Sequence, residues 1–284
     1  MTKLKSFNWF NIIFISFNTL VGLIGAPIYI AYHHGLTADE IGLYVFFCIA
    51  TGLAITVGYH RLFAHVTYKA NPLVKFLLVF FGSAAFEQSA LAWSSQHRDH
   101  HRFVDTAADP YSIKKGFYWA HMGWLLEGQY EFHYTNVDDL IRDRLIMHQA
   151  KYYVPWAIVA GVITPVLIGA IWGHALSAFI ISVCLRVTVV YHSTWCINSV
   201  CHTFGNRTYD KRATARDHWF VAILTFGEGY HNFHHRFPSD YRNGVRWYHW
   251  DPSKWTIAVL EKIGLVRDLM RVPEESITRA RLSA

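Results

Sequence analysis

The sequence predicts an all-α integral membrane fold: four transmembrane helices with a cytoplasmic helical cap carrying a histidine-rich di-metal site. Three observations lead there. Of 284 residues, 52% are hydrophobic and 17% aromatic, but only 16% are charged, against roughly 25% in a soluble domain. Four apolar stretches are long enough to cross a bilayer, and eight of the 18 histidines fall in three short strings. A single domain, residues 1–284, accommodates all of this.

Residues 10–32 contain no Asp, Glu, Lys or Arg. At about 1.5 Å per residue they can span a hydrocarbon core of about 30 Å. Residues 41–59 form a second span, 153–172 a third and 174–197 a fourth, in which Arg186 is the one formal charge. A Gly173-His174 turn separates the last two, which read as a helical hairpin, and Pro155 and Pro165 are tolerable in membrane helices. The first run lacks a small-residue cleavage site, so it reads as a span and not as a leader. Residues 72–93 are also apolar but carry Lys75 and Glu87. If they crossed, the histidine strings on either side would lie on opposite faces of the membrane. They are therefore expected to lie in the interface or to dip and return.

Four spans put both termini and all three strings on one side. Lys and Arg agree: two in residues 1–9, ten in 60–152, 13 in 198–284 and none in 33–40, with Arg186 completing the 26. By the positive-inside rule that side is the cytoplasm, and segments 60–152 and 198–284 form the cap. The net charge of +6 is thus a topology signal. The basic residues are spread along loops and form no single motif, which argues against nucleic acid as a partner. Cys48, Cys184, Cys196 and Cys201 form no C-x-x-C and read as small buried hydrophobes.

The strings are His60-Arg-Leu-Phe-Ala-His65, His97-Arg-Asp-His100-His101 and His231-Asn-Phe-His234-His235. Imidazole suits iron, zinc, copper and nickel. On a helix, positions i, i+3 and i+4 share a face, so H-x-x-H-H is expected to aim three ring nitrogens at one point, twice. Eight ligands are too many for one ion and suit two. His60 and His65 stand about 140° apart on an α-helix. They are expected where the second span ends and frays, straddling the two metals. Near the end of the fourth span Asn198 and His202 are i, i+4. His202 joins as a ninth ligand, and Asn198, too neutral to ligate strongly, is placed beside a metal-bound water. His33, His34, His121, His133, His148, His174, His192, His218 and His249 read as interfacial or core residues.

The chain is read as holding no Glu-x-x-His pair, unlike carboxylate-bridged di-iron sites, so the expected ligand set is imidazole alone. Neutral ligands leave the positive charge on the metals, which favours oxygen activation over hydrolysis. A zinc hydrolase would bring an open three-ligand site and a general-base Glu, and His-Glu-x-x-His does not occur.

The three strings resemble the histidine boxes of integral-membrane fatty acid desaturases, in the stearoyl-CoA/Δ9 branch. The third box extends as Gly229-Tyr-His231-Asn-Phe-His234-His235-x-Phe-Pro238. Supporting strings are Ala108-Asp109-Pro110, Lys115-Gly116-Phe117, His121-Met-Gly-Trp124-Leu-Leu, Asn198-Ser-Val-Cys-His202 and Phe204-Gly-Asn-Arg207-x-Tyr-Asp-Lys211. The likeness runs in order from about residue 40 to 270. It implies that His60, His65, His97, His100, His101, His202, His231, His234 and His235 bind two non-haem iron ions (Fe2+), with Asn198 holding a water. It also implies that Trp93, Thr194 and Trp195 line an acyl tunnel near its bend. The implied activity is O2-dependent insertion of a cis double bond, at Δ9, into a saturated acyl chain, with electrons from an external donor such as ferredoxin or cytochrome b5 with its reductase. A histidine-box hydroxylase of lipids or alkanes is the alternative with the same metal logic. A metal transporter or sensor would want ionisable groups at mid-membrane depth, where the spans offer little beyond Arg186.

Two departures bear on the acyl carrier. Animal acyl-CoA desaturases carry an Arg-Asp pair before the second box, where Ser95-Gln96 stand here. A basic pair after the Gly-Trp-Leu-Leu string is replaced by Glu127-Gly128-Gln129. Those positions meet the CoA head group in that branch, so the substrate is open between acyl-CoA and acyl-lipid. No heme-binding His-Pro-Gly-Gly string and no strand-associated G-x-G-x-x-G stand in the chain, so electrons are expected from a separate protein.

Overall fold

The second span begins at a capping box, in which the Glu40 carboxylate accepts the Thr37 backbone N–H at 2.7 Å. In the computed structural model, which describes residues 7–128 and 130–284, this helix runs over Ala38–Ala64. It is one of four helices long and apolar enough to cross a membrane, the others being Trp9–Tyr32, Tyr153–Ile171 and Ala175–Ser199. They are the four spans that hydropathy predicts, the second extended at both ends. Lys3 and Lys5 of the charge count, and Gln129 of the second departure, lie outside the described residues.

Small residues let the spans approach closely. A Cβ at Gly22 would meet Leu185 Cα at 2.8 Å, and one at Gly169 would meet Ala178 Cβ at 2.4 Å. The first and third spans thus each close onto the fourth through a glycine. Gly173, at φ 80°, makes the tight turn between the third and fourth.

Arg186 is fully buried. It donates to Ser182 O at 2.8 Å, Thr51 Oγ1 at 3.2 Å, Ala84 O at 2.7 Å and Gly161 O at 3.1 Å. One guanidinium therefore joins the second, third and fourth spans to the turn after residue 83. Its charge is engaged in holding helices together.

The ambiguous segment resolves into three parts. Pro72–Ser83 is a helix of 12 residues, about 18 Å long and too short to cross. It packs back along the second span, with Gly82 against Tyr59 and Gly58 against Leu78. The turn that follows takes left-handed backbone at Phe86 (φ 58°) and Gln88 (φ 76°). Its polar groups are met from the spans: Arg186 on Ala84 O, Tyr191 OH donating to Phe86 O at 2.7 Å, and Gln88 N–H donating to Tyr153 OH at 2.9 Å. Irregular backbone among spans is tolerated when its groups are satisfied in this way. The chain then returns as the helix Ala90–Phe103, whose Ser89 cap accepts Ala92 N–H at 3.2 Å.

A two-residue antiparallel pair, Lys69–Ala70 with Val266–Arg267, departs from a purely helical fold. It ties the exit of the second span to the C-terminal region, as does the 2.6 Å contact between Thr56 and Ser253 hydroxyls. The four cysteines are free.

Candidate metal centre and acyl cavity

The nine histidines named from the sequence gather at one end of the spans in two adjoining groups. His60, His65, His97, His101 and His234 form the first, and His100, His202, His231 and His235 the second. Within each group the ligand atoms lie within 4.8 Å of one another. Nε2 atoms face each other at 3.0 Å for His60 and His234, 2.9 Å for His65 and His97, and 2.9 Å for His101 and His234. In the second group His231 faces His202 at 3.0 Å and His235 at 3.0 Å.

The grouping corrects two expectations. Each H-x-x-H-H string divides: His97 and His101 join the first group while His100 joins the second, and His231 and His235 join the second while His234 joins the first. On an α-helix i+4 lies about 40° to one side of i and i+3 about 60° to the other. With one pocket on each side, the i, i+4 pair stays together and the third ring crosses over. His60 and His65 do not straddle the pockets either, since both belong to the first. From Ala54 to Ala64 the second span hydrogen-bonds i→i+5, and His65 N–H reaches His60 O at 3.0 Å. Five residues then complete about one turn, and the two rings face the same way.

Acidic residues stand behind the rings. His60 Nδ1 lies 2.8 Å from Glu228 Oε2, and His100 Nδ1 lies 2.9 Å from Asp109 Oδ1. His202 Nδ1 meets Thr214 Oγ1 at 2.7 Å, and that hydroxyl donates to Asp105. An Nδ1–H held from behind leaves the Nε2 lone pair free for a metal and fixes the ring. Burial first, and then the neighbouring imidazoles, hold His65, His97, His101, His231, His234 and His235 well below the ordinary histidine range; His202 is lowered by burial and by His100. Convergent imidazoles grouped in this way are the donor set that a pair of imidazole-preferring ions requires.

Glu228 corrects a third point. It stands three residues before His231, so a Glu-x-x-His spacing does occur, but its carboxylate turns to His60 and to the buried Arg61, whose Nη2 lies 3.0 Å away. The site is therefore not backed by imidazole alone. Glu228, Asp105 and Thr214 carry no role in the sequence reading, and Asp109 enters there only within the Ala-Asp-Pro string. Replacing Asp109 by Asn is expected to weaken metal affinity by about 10- to 100-fold. Competition with a chelator measures this.

An apolar cavity leads to these rings. Its lining includes Phe14, Cys48 and Tyr191 from the spans, together with His60, His97 and His231 of the two groups. Trp93, Thr194, Trp195 and Asn198 all line it, and so does Gln96. Ser95 does not; it is buried, and its hydroxyl donates to Asn136 Oδ1 at 2.9 Å. His121 and His192 pair with each other at 3.0 Å, apart from both groups.

Glu87, seen in the sequence only as an obstacle to crossing, projects from the dipping turn into this cavity. It accepts Trp93 Nε1–H at 3.2 Å and Thr194 Oγ1–H at 2.9 Å, clasping the two residues together. Burial raises its carboxyl from 4.5 to about 7, against the lowering effect of those two bonds. The folded protein thus holds this proton more tightly than the unfolded chain. The stabilisation is full below about pH 4.5 and is lost as pH rises to about 7. Glu87→Gln is expected to flatten that slope, as measured by thermal unfolding between pH 5 and 8. An unchanged slope would show that Glu87 does not titrate there.

Four spans with two adjoining histidine groups beside an apolar cavity define a multi-helix membrane protein able to hold a metal pair. The chain belongs to the fatty acid desaturase family, whose model matches residues 41–258. It is 37% identical over 278 residues to the Probable acyl-CoA desaturase of Schizosaccharomyces pombe, covering 97% of this chain and 57% of that protein. It is 39% identical to Acyl-CoA desaturase 1 of Saccharomyces cerevisiae, covering 83% of this chain and 47% of the yeast protein. A Delta(9)-fatty-acid desaturase of Caenorhabditis elegans is 36% identical, with 84% and 72% covered. The chain thus spans about half the length of the two fungal relatives.

Proposed function

We propose that this protein is an O2-dependent fatty acyl desaturase that inserts a cis double bond, at Δ9, into a saturated acyl chain. The observation that carries this reading is the apolar cavity that His60, His97 and His231 help to line. A saturated methylene offers no acid–base handle, so it must be held still beside a strong oxidant with water excluded. The nine histidines would hold two non-haem irons, which supply the oxidising power when bound. Asn198, which also lines the cavity, would hold a metal-bound water. Trp93 and Thr194, clasped by Glu87, and Trp195 would fix the acyl chain at its bend, so that one carbon pair faces the pockets.

Residues 1–284 act as one membrane domain in this reading. Both termini and the site face the cytoplasm, as the Lys and Arg distribution favours, and electrons come from a separate donor such as ferredoxin or cytochrome b5 with its reductase. The relatives' names favour acyl-CoA as substrate, whereas Ser95-Gln96 favour acyl-lipid. Parallel assays with stearoyl-CoA and with phospholipid in membranes decide between them.

Expression in a host unable to make monounsaturated lipids is expected to yield new cis-monoenes, read by gas chromatography with mass spectrometry. Hydroxylated chains without alkenes would overturn desaturation in favour of the hydroxylase.

A further inference from the structure

The segment between the fourth span and the third histidine string closes on itself. Asn206 N–H donates to Asp217 O at 2.9 Å and Asp217 N–H to Asn206 O at 2.8 Å, an antiparallel bridge. The next residues along the two strands are Arg207 and Arg216. Arg207 and Arg216 thus flank this isolated bridge, one on each strand, and their like charges repel. No acidic side chain forms an ion pair with either arginine among the described residues. Asp217 turns away to accept Asn232 and Phe233 N–H, and Asp210 accepts Arg212 N–H. Each guanidinium instead touches one carbonyl, Arg207 on Lys211 O at 3.3 Å and Arg216 on Gly205 O at 3.4 Å. The Nε–H of both is buried with no partner. Burial, and then Arg207, lower Arg216 below the ordinary arginine range.

The two guanidinium groups are therefore without an acidic partner among the described residues, their outer nitrogens exposed and each Nε–H buried with no acceptor. We propose that Arg207 and Arg216 bind a phosphate-class anion between them. Planar forks match phosphate oxygens two at a time, and a dianion would relieve the repulsion between the two charges. The ligand is either the phosphate of a lipid head group or a free phosphate. The loop that would close on it also carries Thr214, which backs His202, and Arg216 N–H donates to Cys201 O at 2.7 Å.

The test uses the full protein in phosphatidylcholine nanodiscs, titrated with inorganic phosphate and, separately, with chloride at matched ionic strength. Phosphate is expected to raise the unfolding temperature saturably and chloride not. Arg207→Gln and Arg216→Gln should each weaken the apparent affinity for phosphate about tenfold or more. Arg216→Lys, which keeps the charge but loses the fork, should fall between. In nanodiscs containing phosphatidic acid, loss of the phosphate response identifies the lipid as the source, and an undiminished response identifies free phosphate. The proposal is overturned if chloride matches phosphate, or if the glutamine variants fold and respond to phosphate as wild type does. Metal content, measured alongside, separates any collapse of the histidine pockets from loss of the anion site.

Discussion

Replacing His101 or His235 by Ala is expected to reduce double-bond formation to background while the protein still reaches the membrane. The two residues test the two pockets separately, since His101 belongs to the five-membered group and His235 to the four-membered one. Each ring contributes one donor to its own pocket, and the two also stack on each other across the pockets, with ring centroids 4.4 Å apart. Neither ring holds a span in place, so insertion should survive. His33→Gln is the matched control, because His33 is exposed and lies outside both groups. Product in isolated membranes, normalised to the amount of protein there, gives the readout. Retained activity in either alanine variant would remove that ring from the site.

Arg186→Leu is expected to cost about 3 kcal/mol or more, enough to keep most of the protein from accumulating. The substitution leaves Ala84 O, Gly161 O and Thr51 Oγ1 without their donor inside the helix bundle, and each stranded group costs about 1–3 kcal/mol. It also releases the turn that presents Glu87. Arg186→Lys should rescue little, since an ammonium cannot reach acceptors on three elements with one planar fork. Yield and unfolding temperature in detergent check this. Wild-type values for Arg186→Leu would show that packing alone holds the spans.

Hydropathy reads the four spans because each is nearly free of formal charge, and the one exception, Arg186, is visible as an exception. Its partners are not, since they come from three other segments. The nine histidines are legible through spacing and resemblance. Their division between two pockets is not, because a helical wheel says which rings are neighbours but not where the facing helices stand. His60 and His65 mislead for a local reason: the 100° step of an α-helix does not apply to a stretch bonded i→i+5. Glu228 was readable, as Glu-x-x-His ahead of the third box, although its carboxylate serves His60 and not a metal directly. Glu87 is plain in the text as a charge in an apolar segment. Its grip on Trp93 and Thr194 emerges only once the turn at residues 84–88 brings it under the fourth span.

In the proposed reading the two imidazole pockets would hold a pair of irons beside the acyl cavity, and metal analysis of the purified protein by mass spectrometry counts them. Two irons per chain are expected in the wild type, with less metal in His101→Ala and in His235→Ala. A single metal per chain, or zinc in place of iron after expression in iron-replete medium, would contradict it.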